Sequence, residues 1–433
     1  TVTLTSKDGL PVTGHQGLTF TLTDGTVVEV AKGSAAGTAT ITANDDVYVG
    51  GQPAIAQTIT GVTGDAVFEN LITAGSTNTV VTDEPGTPGN PGTPGTPNAG
   101  DQIAVSIVSN GNVTEAEQPV FTVRVNQVLD RDLTVTLTNG AKVVIAAGQT
   151  EATYRTDAQG EDVFKDAGSL TVGITDATVD GQTFENLQLG GSATVQIADT
   201  INEVVATLTA DKTTVTEGGQ ITYTVTLISK DGLPVTGHQG MTFTLEGGGL
   251  ITIEAGKASG TYVLTTADDV YVGGQPVINK SITGITGGNV FEKLSTSGYT
   301  CTTVTDETGT PNNPGTPGTP NGGDQVLVSI VSNGNVTEAQ QPVFTVRVNQ
   351  VLDRDLTVTL SNGDKVVIAA GQTEVEYRAT AQGDDVFKDA GSLTVGITDA
   401  TVDGQTFENL QLGGSATVQI ADTINDVVAT LTA

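Results

Sequence analysis

Along residues 120–125, Phe121, Val123 and Val125 alternate with Thr122 and Arg124, and runs of the same period recur along the chain. Alternation at a period of two sends successive side chains to opposite faces of a strand, so each run predicts a strand with one face on a core and the other in water. Between residues 101 and 201 the pattern predicts about seven strands: Ile103 to Ile107, Val120 to Val125, Leu133 to Thr138, Lys142 to Ile145, Glu151 to Arg155, Leu170 to Ile174 and Ala193 to Ile197. Asn139-Gly140 and Asp180-Gly181 supply turn signals between them. About seven short strands in about 100 residues is the count of an Ig-like sandwich, here without the Cys and Trp of antibody domains. An up-and-down barrel is the weaker alternative.

The pattern repeats. TVTLTSKDGLPVTGHQG from Thr1 returns as TVTLISKDGLPVTGHQG from Thr224, 223 positions on, and the segment from Asp101 returns from Asp324 at the same interval. Within the long unit, VTEGGQITYTV from Val215 resembles VTEAEQPVFTV from Val113, and GNVFEKL from Gly288 resembles GQTFENL from Gly181, so two diverged domain types alternate. Residues 1–84 read as a type A domain clipped at its N-terminus, 101–201 as type B, 202–307 as type A, 324–424 as type B, and 425–433 as the first strand of a further type A domain. The expected fold class is all-β, with tandem Ig-like β-sandwich domains in an elongated rod.

Two kinds of joint follow. Residues 85–100 and 308–323 are Pro/Gly linkers, and in the first of them prolines recur every three residues from Pro85 to Pro97. That is the period of a polyproline II helix, in which sixteen residues extend roughly 50 Å at about 3.1 Å each. A collagen reading fails because the run is very short and Asn312 breaks the glycine register in the second copy. From B to A, ADTINEVVATLTA contains no Pro or Gly, which predicts a short and rather rigid passage.

Gly, Thr and Val dominate and Trp is absent, a composition for short strands and tight turns with almost no helix. The net charge of −32 would repel a phosphate backbone or an anionic membrane, so no nucleic acid is expected. No apolar run approaches a membrane span, so no membrane insertion is expected. The single cysteine, Cys301, corresponds to Asn78 one repeat earlier and reads as drift. His15 and His238 lack the companions of a zinc site, and loop polarity accounts for them. Tyr154, Phe164 and Phe184 are spaced as core residues and not as a sugar-binding platform.

The acidic excess recurs at equivalent places: the VTE glutamates Glu115, Glu217 and Glu338; the pairs Asp45-Asp46, Glu161-Asp162, Asp268-Asp269 and Asp384-Asp385; and the terminal aspartates Asp83, Asp199, Asp306 and Asp422. In a sandwich the VTE segment follows the first strand and the terminal aspartate the last, so several of these gather near one domain end. The B-to-A joint adds Asn202 and Glu203, or Asn425 and Asp426. Calcium takes six to eight oxygens, mostly carboxylate and carbonyl, and is the expected ligand; the alternative is that these are solvated turn residues.

VTEGGQITYTVTLISKDGLPVTGHQG, ADDVYVGGQP from Ala267 and DVFKDAGSLTVGITDATVDGQTFENLQLGG from Asp162 together resemble the long repeats of the large adhesion proteins of pseudomonad biofilms, which are type I secreted adhesins of the repeats-in-toxin kind. The resemblance spans essentially the whole chain. It implies extender repeats of a giant adhesin on the extracellular face of a bacterial cell, serving biofilm attachment, with calcium ordering the domain junctions. No enzyme is expected, since no acid, base and nucleophile assemble. The alternative is that one domain type itself binds matrix polysaccharide or another adhesin copy; the isolated chain is expected to be monomeric.

Overall fold

The computed structural model describes residues 1–88, 90, 100–310, 313 and 323–432, in two compact units, Thr1–Thr200 and Ile201–Ala433. Each unit holds a type A segment followed by a type B domain. The described residues contain no α-helix; the helical content is two single 3-10 turns, Asp65–Val67 and Gly288–Val290.

In the first unit, type B is a sandwich of two sheets. One runs Glu151–Arg155, Val120–Val125, Gln102–Ser109, Asn186–Leu189; the other runs Lys142–Ile145, Leu133–Leu137, Gly168–Val179, Ser192–Ala198, Val113–Thr114. All pairs are antiparallel except the last in each sheet: Asn186–Leu189 lies parallel to Gln102–Ser109, and Val113–Thr114 lies parallel to the end of Ser192–Ala198. Ile103, Phe121, Leu133, Val135, Val172 and Val195 are wholly buried between the sheets. Each such side chain contributes about 1.5–3 kcal/mol of hydrophobic stabilisation. Type B of the second unit repeats the order, and type A of that unit follows it as well, with Glu203–Ala210 in the place of Gln102–Ser109 and Thr214–Thr216 in the place of Val113–Thr114.

Three details depart from the pattern. Gly168–Val179 is twelve residues long because its first half pairs with Ser192–Ala198 and its second with Leu133–Leu137, with a bulge opposite Thr136 and Leu137. The short parallel strands Val113–Thr114 and Asn186–Leu189 are too brief to show as alternation. Thr122 sits on the side expected to face water, yet is buried, its hydroxyl donating to Asn110 Oδ1 at 2.8 Å.

The extended spacer expected at 85–100 lies largely outside the described residues. Residues 89 and 91–99 of the proline run lie outside the described residues, as do 311, 312 and 314–322 of the second. The flanks are folded back: Gly86 N–H donates to Asn90 O at 2.7 Å, Asn90 Nδ2 donates to Asp83 O at 2.6 Å, and a Cβ on Gly100 would stand 2.5 Å from Thr87 Cγ2. The described flanks at Thr87 and Gly100 therefore lie against each other.

Direct packing holds A to B within each unit. Tyr271, on a type A loop, is buried in the type B core of its unit with its ring 5.5 Å from Phe407, and its hydroxyl donates to Asp353 Oδ1 at 2.8 Å. Backbone bonds flank it, Val272 N–H to Thr406 O at 2.8 Å and Glu408 N–H to Val270 O at 3.1 Å. Tyr48 makes the same arm in the first unit, with Phe184 at 5.6 Å and Asp130 at 2.9 Å.

Candidate cation sites at the domain ends

The VTE glutamates owe their position to the short parallel strand before them. Val113–Thr114 ends beside Ile197 and Ala198, so Glu115 N–H donates to Ala198 O at 3.1 Å and its side chain lies level with Asp199. Glu115 is fully buried. Its Oε1 accepts from Thr200 N–H at 3.2 Å and Thr200 Oγ1 at 3.1 Å, while its Oε2 is buried with no partner. Asp166 N–H donates to Asp199 Oδ1 at 3.2 Å, which draws the Asp166 carboxylate in. Glu115, Asp166 and Asp199 then offer oxygens all within 4.8 Å of one another. Glu338, Asp389 and Asp422 repeat this group in the second unit, again with a buried and unpartnered Glu338 Oε2.

Type A of the second unit has two such groups sharing one residue: Glu217 with Asp268 and Glu307, and Glu217 with Asp306 and Glu408. Where type B carries Asp389, type A carries Gly273, whose N–H still reaches the terminal aspartate, Asp306 Oδ1, at 2.8 Å. The missing carboxylate is replaced from across the joint, because the strand-like bonds around Tyr271 bring Glu408 of type B to the end of type A. Glu217, Asp306 and Glu408 are all buried. Glu217 Oε1, Asp306 Oδ2, Glu307 Oε2 and Glu408 Oε1 have no partner. A cleft of about 490 Å3 lined by Gly273, Asp306 and Asn313 opens beside them.

Such crowding is costly without a counter-charge: two carboxylates 4.8 Å apart repel by roughly 3.5 kcal/mol at an effective dielectric of about 20. The proton affinities register it. Burial first, and then the neighbouring Glu217 and Glu307 carboxylates, push Glu408 up to about 8 against the N–H of Asp324. Burial raises Glu217, Glu307 and Asp324 as well. In the first unit burial pushes Glu185, the counterpart of Glu408, up to about 7, with Glu84 and Asp83 close by. Buried, unpartnered, hard oxygen donors suit a divalent cation such as calcium, and the groups contain no nitrogen or sulfur ligand.

Of the residues expected from sequence, Glu115, Asp199, Glu217, Asp268, Asp306, Glu338 and Asp422 are brought together. The others serve locally. Asp269, Asp162 and Asp385 cap the arm loops, accepting from the N–H of Tyr271, Phe164 and Phe387. Glu161 accepts from Thr200, and Asp384 accepts from Thr423 and from Asn425 Nδ2. Asn202 N–H donates to Glu292, Glu203 pairs with Lys293 at 3.3 Å, and Asp426 is exposed. Asp166, Asp389, Glu307 and Glu408 were not singled out. Their signal was present as recurrence: the glutamate of FEN and FEK returns in every domain, KDAG follows both type B arms, and the glutamate after the terminal aspartate recurs as Glu84 and Glu307.

His15 and His238 are buried, which loop polarity does not explain. His238 Nε2 contacts Lys257 O at 2.7 Å and Nδ1 accepts from Gly240 N–H at 3.0 Å, so the ring is neutral with its proton on Nε2 and pins its loop; His15 does the same with Ser34 O and Gly17. Phe184 is core, as expected.

The fold and its sites define a tandem Ig-like β-sandwich protein with carboxylate clusters at the ends of its domains. The LapA domain model matches residues 1–84, 101–200, 202–308 and 324–423, and the chain belongs to the LapA domain family. No curated protein matches. Among solved structures, a tetra-tandem repeat in the extending region of a large adhesion protein is 16% identical with a TM-score of 0.25, covering 75% of this chain and 74% of that one. The Escherichia coli adhesin FdeC is 13% identical with a TM-score of 0.20, covering 73% and 96%. The I9–I11 tandem of titin is 11% identical with a TM-score of 0.16, covering 74% and 100%.

Proposed function

We propose that these repeats are extender segments of a bacterial cell-surface adhesin, non-enzymatic, whose work is to hold other parts of the protein at a distance, and that calcium stiffens them at domain ends. Membership of the LapA domain family supports the adhesin reading. The observation that carries the cation is Glu408, a type B carboxylate buried with an unpartnered oxygen against Glu217 and Asp306 of type A. A cation taken there ties two domains with one set of bonds and removes their mutual repulsion, so binding and domain coupling become one event. Biofilm attachment, type I secretion and an extracellular location follow from the same reading.

The test is calorimetric unfolding of the whole chain with millimolar calcium and with chelator, beside Glu217→Gln and Glu408→Gln. Calcium should raise the transition of the wild-type chain and protect both domains of a unit together. The two variants should lose the part of that gain assigned to the shared group. Identical transitions with and without calcium would remove the cation from the account.

A further inference from the structure

Tyr299 opens the strand Tyr299–Thr305 in type A of the second unit and is 63% exposed, on the outer face of its sheet. Its cross-strand partner is Ser281, whose hydroxyl donates to Glu246 Oε2 at 2.7 Å. Glu246 N–H donates in turn to Ser281 O at 2.9 Å. Tyr299, Ser281 and Glu246 therefore form one row across the face, roughly 10 Å long at about 4.8 Å per strand. Asn279 and Cys301, both exposed, face each other in the row beside it.

A buried lysine holds this row in place. Lys280 Nζ donates to Glu246 O at 2.7 Å and to Gly248 O at 3.0 Å, which fixes the loop from which the Glu246 carboxylate projects. Burying an ammonium is costly, and what it gains here is a rigid Glu246 backbone beside an exposed ring. The other type A segment carries none of this. Thr23, Gln57 and Ser76 stand where Glu246, Lys280 and Tyr299 stand, and Gln57 Oε1 accepts from Asp24 N–H at 3.3 Å.

The chemistry of the row suits a sugar ring. An aromatic face is weakly negative and draws the C–H side of a pyranose, while an ionised carboxylate accepts strong hydrogen bonds from hydroxyls. The net charge of −32 repels an anionic polymer, which leaves a neutral one. We propose that Tyr299, Ser281 and Glu246 bind a neutral polysaccharide, one pyranose ring stacking on Tyr299 while adjacent hydroxyls donate to Glu246. This goes beyond the extender reading: type A of the second unit becomes a contact point along the repeats, and type A of residues 1–84 does not. The contact needs no cation.

The experiment is affinity electrophoresis of the full chain in chelator, through native gels cast with dextran, galactomannan or hydroxyethylcellulose. At least one of these polymers should retard the chain relative to a plain gel. Tyr299→Ala should weaken that retardation at least about tenfold, Tyr299→Phe should keep most of it, and Glu246→Gln should fall between. Ser76→Ala in the first unit should change nothing. Melting temperatures of the Tyr299 and Glu246 variants should match the wild type, since both side chains are exposed. A dye on Cys301 should shift its emission when the retarding polymer is added to the free chain. Unaltered migration in all three polymers overturns the proposal, as does retardation that Tyr299→Ala leaves intact. Light scattering that gives a two-chain mass without polymer, lost in Tyr299→Ala, also overturns it, by making this face a contact between copies.

Discussion

The arm that joins A to B can be weighed by removing it. Tyr271 is 5% exposed, inside the type B core against Phe407. Truncating a buried aromatic to alanine costs about 3–5 kcal/mol through lost burial and the cavity left behind. The hydroxyl adds little, because its acceptor, Asp353, keeps 70% of its side chain in water, so Tyr271→Phe should cost only about 0.5–1 kcal/mol. Tyr271→Ala is placed at about 3–4 kcal/mol, since a loop can relax into part of the space. The loss falls on type B although the mutation lies in type A.

Native-state hydrogen exchange on the intact chain reads this directly. Amides of Val343–Val348 and Gly391–Val402 should exchange roughly 10²–10³-fold faster in Tyr271→Ala, at about 1.4 kcal/mol per tenfold. Val120–Val125 in the first unit, which keeps Tyr48, serves as the internal reference. A change below tenfold, or one confined to type A peptides, would show that the arm rests on type B without completing its core.

In chelator, Glu408 and Glu185 carry folded-state proton affinities above those of the unfolded chain, so the stability they confer is present below about pH 4.5 and is lost as pH rises through about 7 and about 8; melting temperature should fall over that window, and calcium should reverse the slope. Titration calorimetry should count fewer calcium ions for Glu217→Gln than for Glu338→Gln, because Glu217 serves two groups and Glu338 one. Gly323→Ala should lower the melting temperature, costing about 1–3 kcal/mol, since its Cβ would stand 2.8 Å from Thr310 Cγ2 and 3.0 Å from Glu408 Cβ. His238→Ala should cost about 2–4 kcal/mol in a denaturant melt by unpairing Gly240 N–H and Lys257 O in a buried loop.

Much of the sandwich was legible because its strands are half-buried, and half-burial writes itself as alternation: Phe121, Val123 and Val125 could be placed from spacing alone. Val113–Thr114 could not, since two residues carry no period, yet this strand is what sets Glu115 beside Asp199. Acids that meet by recurrence at strand ends were therefore found, whereas Glu408 was not, because its partners lie in another domain and only the Tyr271 loop brings them together. The A-to-B contact was not legible in the proline run either. The burial of Tyr271 in the type B core and the backbone bonds around it lie outside that run and leave no mark in its local sequence.

Type A of the second unit shows how far local sequence falls short. Lys293–Ser297, after the FEK turn, is a strand because Glu203–Ala210 lies alongside it in parallel. The opposite sheet of residues 1–84 forms all the same, with Phe20 and Val28 almost wholly buried and Leu18–Leu22 in its full register, bulge included. Each sheet joins strands distant in sequence, Thr242 with Thr286 in one and Glu203 with Lys293 in the second. That second sheet also includes Gln220–Ser229, which leads out of the VTE turn bearing Glu217. Capture of the first strand and placement of the cation-facing glutamate are then coupled steps, so a domain whose first strand is displaced should lose its end site along with its sheet.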